Sequence, residues 1–383
     1  MAGVDDLLVL EGTVRARRPE QTWEAISGHL SHYGITRVAD LTGLDCIGLP
    51  VWTAVRPASQ TLSTSQGKGA TAVLARLSAV MEAIELWHVE QPLPVAAYGP
   101  AVEVAPACLV SALPLTIPYP ESALARMVWQ WTAATGLVSG QERLVPVDVV
   151  RRRAQRSQWS PDLLRATSTG LACGNTRDEA LVHALLEVVE RDVLFRDGQA
   201  GGRMRTLIAP ESVDEPYARQ ILERLAAAGM ALEIALVDGP YGLPVCVAYL
   251  WSEDHPVTFA GGGCHPHPVI ALTRAVTEAA QSRLTAISGM RDDLPGDVGS
   301  FDAPAAAPAA TAGLVPWPQA IAHLAPPLQD GFAGLMADVA RRVAAVTGYE
   351  PMAVDLSEPA GPVHAVQVIC PGTRSRIRRS MPR

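Results

Sequence analysis

The sequence predicts an α+β protein. Segments with helical apolar spacing alternate with short β-rich runs along the whole chain. Two of the helical segments are apolar around most of their girth, a pattern that requires burial. Glycine and proline mark the boundaries between segments.

Trp23, Ile26 and Leu30 share one face of an expected helix over 22–34. The Thr-, Val-, Gly- and Pro-rich run 35–56 suits strands and tight turns. Ser65-Gln-Gly-Lys-Gly69 reads as a loop, followed by a helix over 70–89. Prolines and short apolar runs make 92–150 a region of loops and strands. A turn over 168–175 precedes a second strong helix, 177–195. A helix near 215–228, strands near 230–238 and 244–251 and a third long helix over 268–288 follow. Residues 303–327 are Pro/Ala-rich and read as an irregular surface segment. A helix near 332–347 and strands near 351–355 and 363–370 complete the pass.

The 383 residues allow two or three domains, or one large one with a full core. Lys and Arg total 31 against 39 Asp and Glu, a net charge of -8 that argues against nucleic-acid and anionic-membrane partners. Neither a secretory signal nor an apolar run of about 18 residues is visible, so no membrane span and a cytoplasmic location are expected. Cys46, Cys108, Cys173, Cys246, Cys264 and Cys370 form no C-x-x-C pair, which disfavours a disulfide framework and a zinc site. Lys68 is the only lysine beside 30 arginines. Five arginines in the last ten residues read as a solvated tail.

Two acidic helices are the most informative feature. Spacings of three and four place Ser78, Glu82 and Glu85 on one face of the first. The same arithmetic stacks Glu179, His183, Glu187 and Glu190 on the second. Apolar residues cover the rest of both helices, so these carboxylates are expected in a partly buried groove. Crowded, desolvated carboxylates repel and need cations or arginines to offset them. Such a cluster suits a hard cation; Mg²⁺ with a triphosphate is the commonest load, since Mg²⁺ binds through few carboxylates plus phosphate oxygens. Each residue also has a plainer reading. Glu179 with Thr176 forms a capping box, Glu190 with Arg191 a helix-end ion pair, and His183 packs in the core. The two segments align at an offset of 105: Ala75 with Ala180, Ala79 with Ala184, Glu82 with Glu187 and Glu85 with Glu190. This suggests an internal pseudo-repeat.

Gly67-Lys68-Gly69 precedes the first acidic helix; glycines let backbone N–H groups approach a phosphate and a lysine adds charge. Ser168–Asn175 precedes the second in the same way, and Asn175 is either a cap neighbour or a ligand-facing amide. On the third helix Glu278 and Gln281 share a face and Arg283 lies off it. These are either further ligands with a neutraliser for phosphate or a solvated polar face.

Together these segments resemble the YcaO family. The matching residues are Gly34–Asp45, Gly48-Leu-Pro-Val51, Ser65–Gly69, Ser78-x-x-x-Glu82-x-x-Glu85 and Gly170-Leu-Ala-x-Gly-Asn175. They continue with Glu179-x7-Glu187-x-x-Glu190-Arg191-Asp192, Glu278–Leu284 and Gly289-x-Arg-Asp-Asp293. The resemblance implies largely antiparallel sheets packed with long helices, with the pseudo-repeat around a central nucleotide site. It implies an N-terminal extension over 1–30, a catalytic domain over 31–372 and a basic tail over 373–383. The implied cofactors are ATP and Mg²⁺, and the implied reaction is O-phosphorylation of a backbone amide in a precursor peptide of ribosomal natural-product biosynthesis. An amide oxygen leaves poorly as hydroxide and well as phosphate, so catalysis becomes positioning and charge neutralisation.

By the motif match Glu82, Glu85, Glu187 and Glu190 hold Mg²⁺. Lys68, Ser78, Asn175, Glu179, Arg191, Glu278, Gln281 and Arg283 contact nucleotide. Glu190, Arg191 and Arg283 carry the chemistry. A Cys, Ser or Thr nucleophile gives an azoline, an amine gives an amidine, and sulfide gives a thioamide, the last with a TfuA-like partner. The chain lacks the Pro-x-Pro-x-Pro ending of many azoline formers and shows no fused leader-binding domain. It is therefore expected to bind its peptide alone or with a separate leader-binding or TfuA-like protein, as a monomer or homo-oligomer. Two rival classes are a catalytically silent MgATP-binding scaffold and a metal-dependent hydrolase that uses the carboxylates without nucleotide.

Overall fold

The computed structural model describes residues 7–152, 163–164, 166–290, 313–324 and 331–375. Its logic is a strand followed by a helix that packs back onto it, used three times. β5 (Thr64–Lys68) leads into α2 (Ala72–Glu90), β9 (Leu171–Gly174) into α3 (Arg177–Gln199), and β13 (Phe259–Cys264) into α5 (Pro268–Ser288). Glycine in the strand and alanine on the helix bring backbone against backbone. A Cβ on Gly67 would stand 2.0 Å from Ala79 N, on Gly174 2.6 Å from Ala180 N, and on Gly261 2.1 Å from Ala275 O. The first two units keep the 105-residue offset beyond the aligned glutamates. Thr71 and Thr176 are the N-caps, their side chains accepting from Leu74 N and Glu179 N. The sequence pattern revealed two units; the structure adds the third.

The sheets are antiparallel apart from one short contact. β3 (Arg37–Asp40), β4 (Val51–Val55) and β5 form one. β6 (Ala97–Pro100), β7 (Val128–Gly136), β15 (Met352–Asp355), β16 (His364–Ile369) and β9 form the second, with β8 (Glu142–Pro146) on β7. The third runs β13, β12 (Val245–Trp251), β11 (Ala231–Val237), β10 (Arg205–Ala209) and β14 (Val315–Pro316), where only β10–β14 is parallel. A separate hairpin pairs β1 (Leu8–Leu10) with β2 (Thr13–Arg15). α1 (Pro19–Ser27), α4 (Pro216–Ala227) and α6 (Gly331–Thr347) complete the longer helices.

Each central helix seats its apolar girth in its own cluster. Leu181, Leu185, Val189 and Val193 of α3 pack with Val339 and Val343 of α6 and Val366 and Val368 of β16. Ala271, Leu272, Ala275 and Val276 of α5 pack with Ile234, Leu236 and Leu250. Ala79, Val80, Ala83 and Ile84 of α2 pack with Ile26, Tyr33 and Ala54. Each fully buried Leu, Val or Ile contributes about 1.5–3 kcal/mol by leaving water. The polar faces left over look into one shared space.

Several sequence expectations shift. The first helix spans 19–27 rather than 22–34, because Pro19 is pre-set for a first helical turn and Gly28 follows its end. The expected loop at 65–69 is mostly β5, and the expected turn at 168–175 is a turn only to Gly170 before β9 begins; Gly67, Gly69 and Gly174 mark close helix approach. β13 was not foreseen, because Gly261-Gly262-Gly263 hides it. Of the Pro/Ala-rich segment, 303–312 and 325–327 lie outside the described residues. Its described part stays mostly at the surface, as expected, but is not irregular: it forms β14 and a short helix, Trp317–Ile321, anchored by the buried Trp317 and Ala320. Residues 291–293 and 376–383 also lie outside the described residues. Within the expected tail, Arg374 N donates to the buried Asp192 Oδ1 at 2.8 Å. All six cysteines are free thiols. Among the described residues no helix is long and apolar enough to cross a membrane.

Candidate active site

A cavity of about 1110 Å³ opens where α2, α3 and α5 converge. Lys68, Ser78, Glu82, Glu85, Asn175, Glu179, Glu187, Glu190, Arg191, Glu278 and Gln281 all line it. Arg283 does not. Its side chain is 2% exposed and spends its donors elsewhere: Nε on Asp45 Oδ2 at 3.1 Å, one terminal nitrogen on Ser252 Oγ at 2.6 Å, the other on Asp254 Oδ2 at 3.0 Å. The expected phosphate contact at Arg283 is therefore corrected to a buried tie between α5, the loop at 45 and the end of β12. Its position off the Glu278–Gln281 face is the reason.

The carboxylates are held in different ways. Glu85 Oε1 accepts from Cys173 N at 2.8 Å, and Glu187 Oε2 from Gly170 N at 3.2 Å. Burial pushes Glu85 well above the usual carboxylate range, with neighbouring Glu82 and Glu187 adding to it. Burial raises Glu187 to about 7, against the pull of Arg191. Glu190 is raised by burial and by Glu278. Glu278 goes the other way: burial alone would raise it, but Lys68 and Arg191 hold it below its ordinary value. Lys68 Nζ donates to Glu278 Oε2 at 2.8 Å, and burial still lowers the lysine. Arg191 stands 3.5 Å from Glu187 and 3.7 Å from Glu190.

At the start of α3, Glu179 forms half of the expected capping box. Its N–H donates to Thr176 Oγ1 at 3.2 Å, while its carboxylate accepts from Asn175 N at 3.0 Å and Asn175 Nδ2 at 2.9 Å. Asn175 Oδ1 accepts from Thr22 Oγ1 at 2.7 Å. Gln281 Nε2 donates to Gln66 O at 2.8 Å, so α5 also holds β5. His183 does more than pack: it lines the cavity and meets Arg15, and burial drives its ring well below its ordinary pKa, toward the neutral form.

Sequence reasoning missed Arg15, Thr22 and Arg274, all of which line the cavity. Arg274 lies one turn before Glu278, so the spacing rule that paired the glutamates would have found it. Arg15 and Thr22 come from a hairpin and helix assigned to an N-terminal extension, where no local signal marks them.

A family model described as YcaO cyclodehydratase, ATP- and Mg²⁺-binding, matches residues 66–374. The chain belongs to the YcaO family. An uncharacterized Mycobacterium tuberculosis protein is 37% identical over 94% of this chain and 82% of its own length. A Rhizobium leguminosarum bv. trifolii protein, named only as lying in the tfuA 3' region, is 36% identical over 73% of this chain and 69% of its own. YcaO from Methanopyrus kandleri, solved bound with AMPPCP and Mg²⁺, shares the fold with a TM-score of 0.74. That match has 23% identity over 99% of this chain and 100% of that one.

ATP and Mg²⁺ are the cofactors of this YcaO chain, and its cavity fits them. Glu82, Glu85, Glu187 and Glu190 line it together and offer carboxylate oxygens, the donor type a hard cation takes. Among the described residues no three His, Cys, Asp or Glu side chains stand close enough to cage one ion.

Proposed function

We propose that this YcaO protein phosphorylates the oxygen of a peptide backbone amide, so that a nucleophile can replace it in an azoline or amidine product. The observation that carries the reading is the convergence of Glu82, Glu85, Glu187, Glu190 and Glu278 with Lys68 and Arg191 in one cavity. Bound MgATP supplies the γ-phosphoryl group that makes the oxygen a leaving group. With MgATP bound, the amide oxygen would take the γ-phosphoryl group as its bond to ADP breaks; the nucleophile would bond to the carbon, its own proton and the amide N–H proton would be released, and inorganic phosphate would leave with that oxygen.

Glu82, Glu85, Glu187 and Glu190 are the metal-facing carboxylates; the Cys173 N–H holds Glu85, the Gly170 N–H holds Glu187, and Arg191 stands beside Glu187 and Glu190. Lys68 is the phosphate-facing ammonium, with Glu278 as its resting partner. Ser78, Asn175, Glu179 and Gln281 line the nucleotide's bed, and Arg191 neutralises charge beside Glu190. Calorimetry with ATP, with and without Mg²⁺, tests the reading; absence of Mg²⁺-dependent binding ends it. ATP bound but never turned over across candidate peptides would favour the silent scaffold. Loss of about 18 Da from a peptide, together with ADP release, marks ring closure.

The Rhizobium relative named for the tfuA region favours a second reading, thioamide formation with a TfuA-like partner. Sulfide then bonds to the activated carbon, and the peptide gains about 16 Da. The mass change separates the two products.

A further inference from the structure

Glu190 differs from its neighbours in how it is held. Glu85 and Glu187 each accept a backbone N–H. Glu190, 5% exposed, accepts no hydrogen bond among the described residues, and Arg191 stands 3.7 Å away. What it has is a wall. β13 carries Gly261-Gly262-Gly263 between α5 and α3, and alternate residues of a strand face opposite sides. Gly261 and Gly263 face α5, where a Cβ would stand 2.1 Å from Ala275 O and 2.1 Å from Ala271 O. Gly262 faces α3, where a Cβ would stand 2.9 Å from Glu190 Oε1 and 2.9 Å from Leu194 Cδ1.

The two sides differ in consequence. Backbone carbonyls of a helix cannot step aside, so a side chain at 261 or 263 must part β13 from α5. The atoms facing Gly262 are tips of flexible side chains and can yield. Gly262 also has no positive φ, so alanine meets no backbone strain there. Nothing in the fold needs glycine at 262 as it does at 261 and 263; what a Cβ there displaces is the carboxylate.

We infer that Gly262 is a positioning residue for Glu190: its missing Cβ is the seat that sets the carboxylate in the cavity opposite the Lys68–Glu278 pair. The inference rests on the assignment of Glu190 to the MgATP site. Gly262→Ala folds and melts near the wild-type temperature, whereas Gly261→Ala is strongly destabilised. The Mg²⁺ concentration for half-maximal AMPPCP binding, read by calorimetry, rises about 10- to 100-fold in Gly262→Ala. In a Glu190→Asp background, where the shorter side chain withdraws from the seat, the same substitution costs much less. Equal cost in both backgrounds, or an unchanged Mg²⁺ requirement, overturns the inference.

Should Gly262→Ala not fold, Gly262→Ala with Leu194→Ala removes the second clash and is read the same way. If the wild-type chain binds no nucleotide, the site assignment fails. The seat is then decided by a crystal structure of Gly262→Ala: Glu190 displaced supports it, Glu190 unmoved refutes it.

Discussion

Lys68 Nζ and Glu278 Oε2 lie 2.8 Å apart, joining the chain's only lysine to a carboxylate 210 residues downstream. The pair spans β5 and α5 at the rim of the carboxylate cluster. Its geometry gives the lysine a reason to persist among arginines. An ammonium on a slim stem fits beside Gly67 and Gly69, where the backbone already touches α2. A planar guanidinium needs more room and a forked partner. Lys68→Arg should therefore keep its melting temperature while peptide-dependent ADP release falls about tenfold or more. Full activity in that variant would make the lone lysine an accident of composition.

The raised carboxylates predict a pH dependence. Glu187 sits near 7 because burial disfavours its charge. In the metal-free chain a raised folded-state pKa contributes stability at low pH, and this is lost as pH rises through about 7. Glu187→Gln should thus stabilise the metal-free protein by about 2 kcal/mol at pH 8, an advantage that fades below pH 5. The same variant should lose Mg²⁺-dependent ATP binding. In the wild type that binding should weaken as pH falls below 7, since cation and proton compete for the carboxylates. Denaturant melts at pH 5 and 8, with a calorimetric series across the range, check both signs.

Much of this site was legible because helices obey simple arithmetic. Spacings of three and four put Glu82 with Glu85 and Glu187 with Glu190 on single faces, and the apolar residues around them required burial. That logic runs along one element at a time. It could not see Arg15, which reaches the cavity from a hairpin whose partner in space, Glu179, is 164 residues further on. It misjudged Gly67, Gly174, Gly261 and Gly263, because glycine in a strand looks like loop in one dimension. Only the packed helix shows why no side chain is tolerated. Arg283 failed for a related reason: the sequence supplied the charge, while Asp45 and Asp254, which claim it, lie far away in the chain.

Arg283 makes that correction testable. The Asp45 side chain is 6% exposed, so removing its partner strands a buried carboxylate. Arg283→Met should cost about 3–5 kcal/mol of stability. Adding Asp45→Asn should recover part of it, because the stranded charge is gone. ATP affinity measured well below the melting transition should stay within about twofold of wild type in both. A variant that kept its stability and lost ATP binding would restore Arg283 to the phosphate site.

The two matched N-caps make a final, asymmetric prediction. Thr71 and Thr176 occupy equivalent places and accept equivalent bonds, from Leu74 N and Glu179 N. Losing either hydroxyl should cost about 1 kcal/mol of stability. Their neighbours differ. Leu74 carries no polar group, whereas Glu179 is 2% exposed and links Asn175 to Arg15 at the cavity wall. Loosening the first turn of α3 therefore disturbs a polar network, and loosening that of α2 does not. Thr71→Ala and Thr176→Ala should lose similar stability in urea melts, but only Thr176→Ala should weaken ATP binding, by several-fold. Equal weakening by both would mean that the pseudo-repeat is functional as well as structural at its caps.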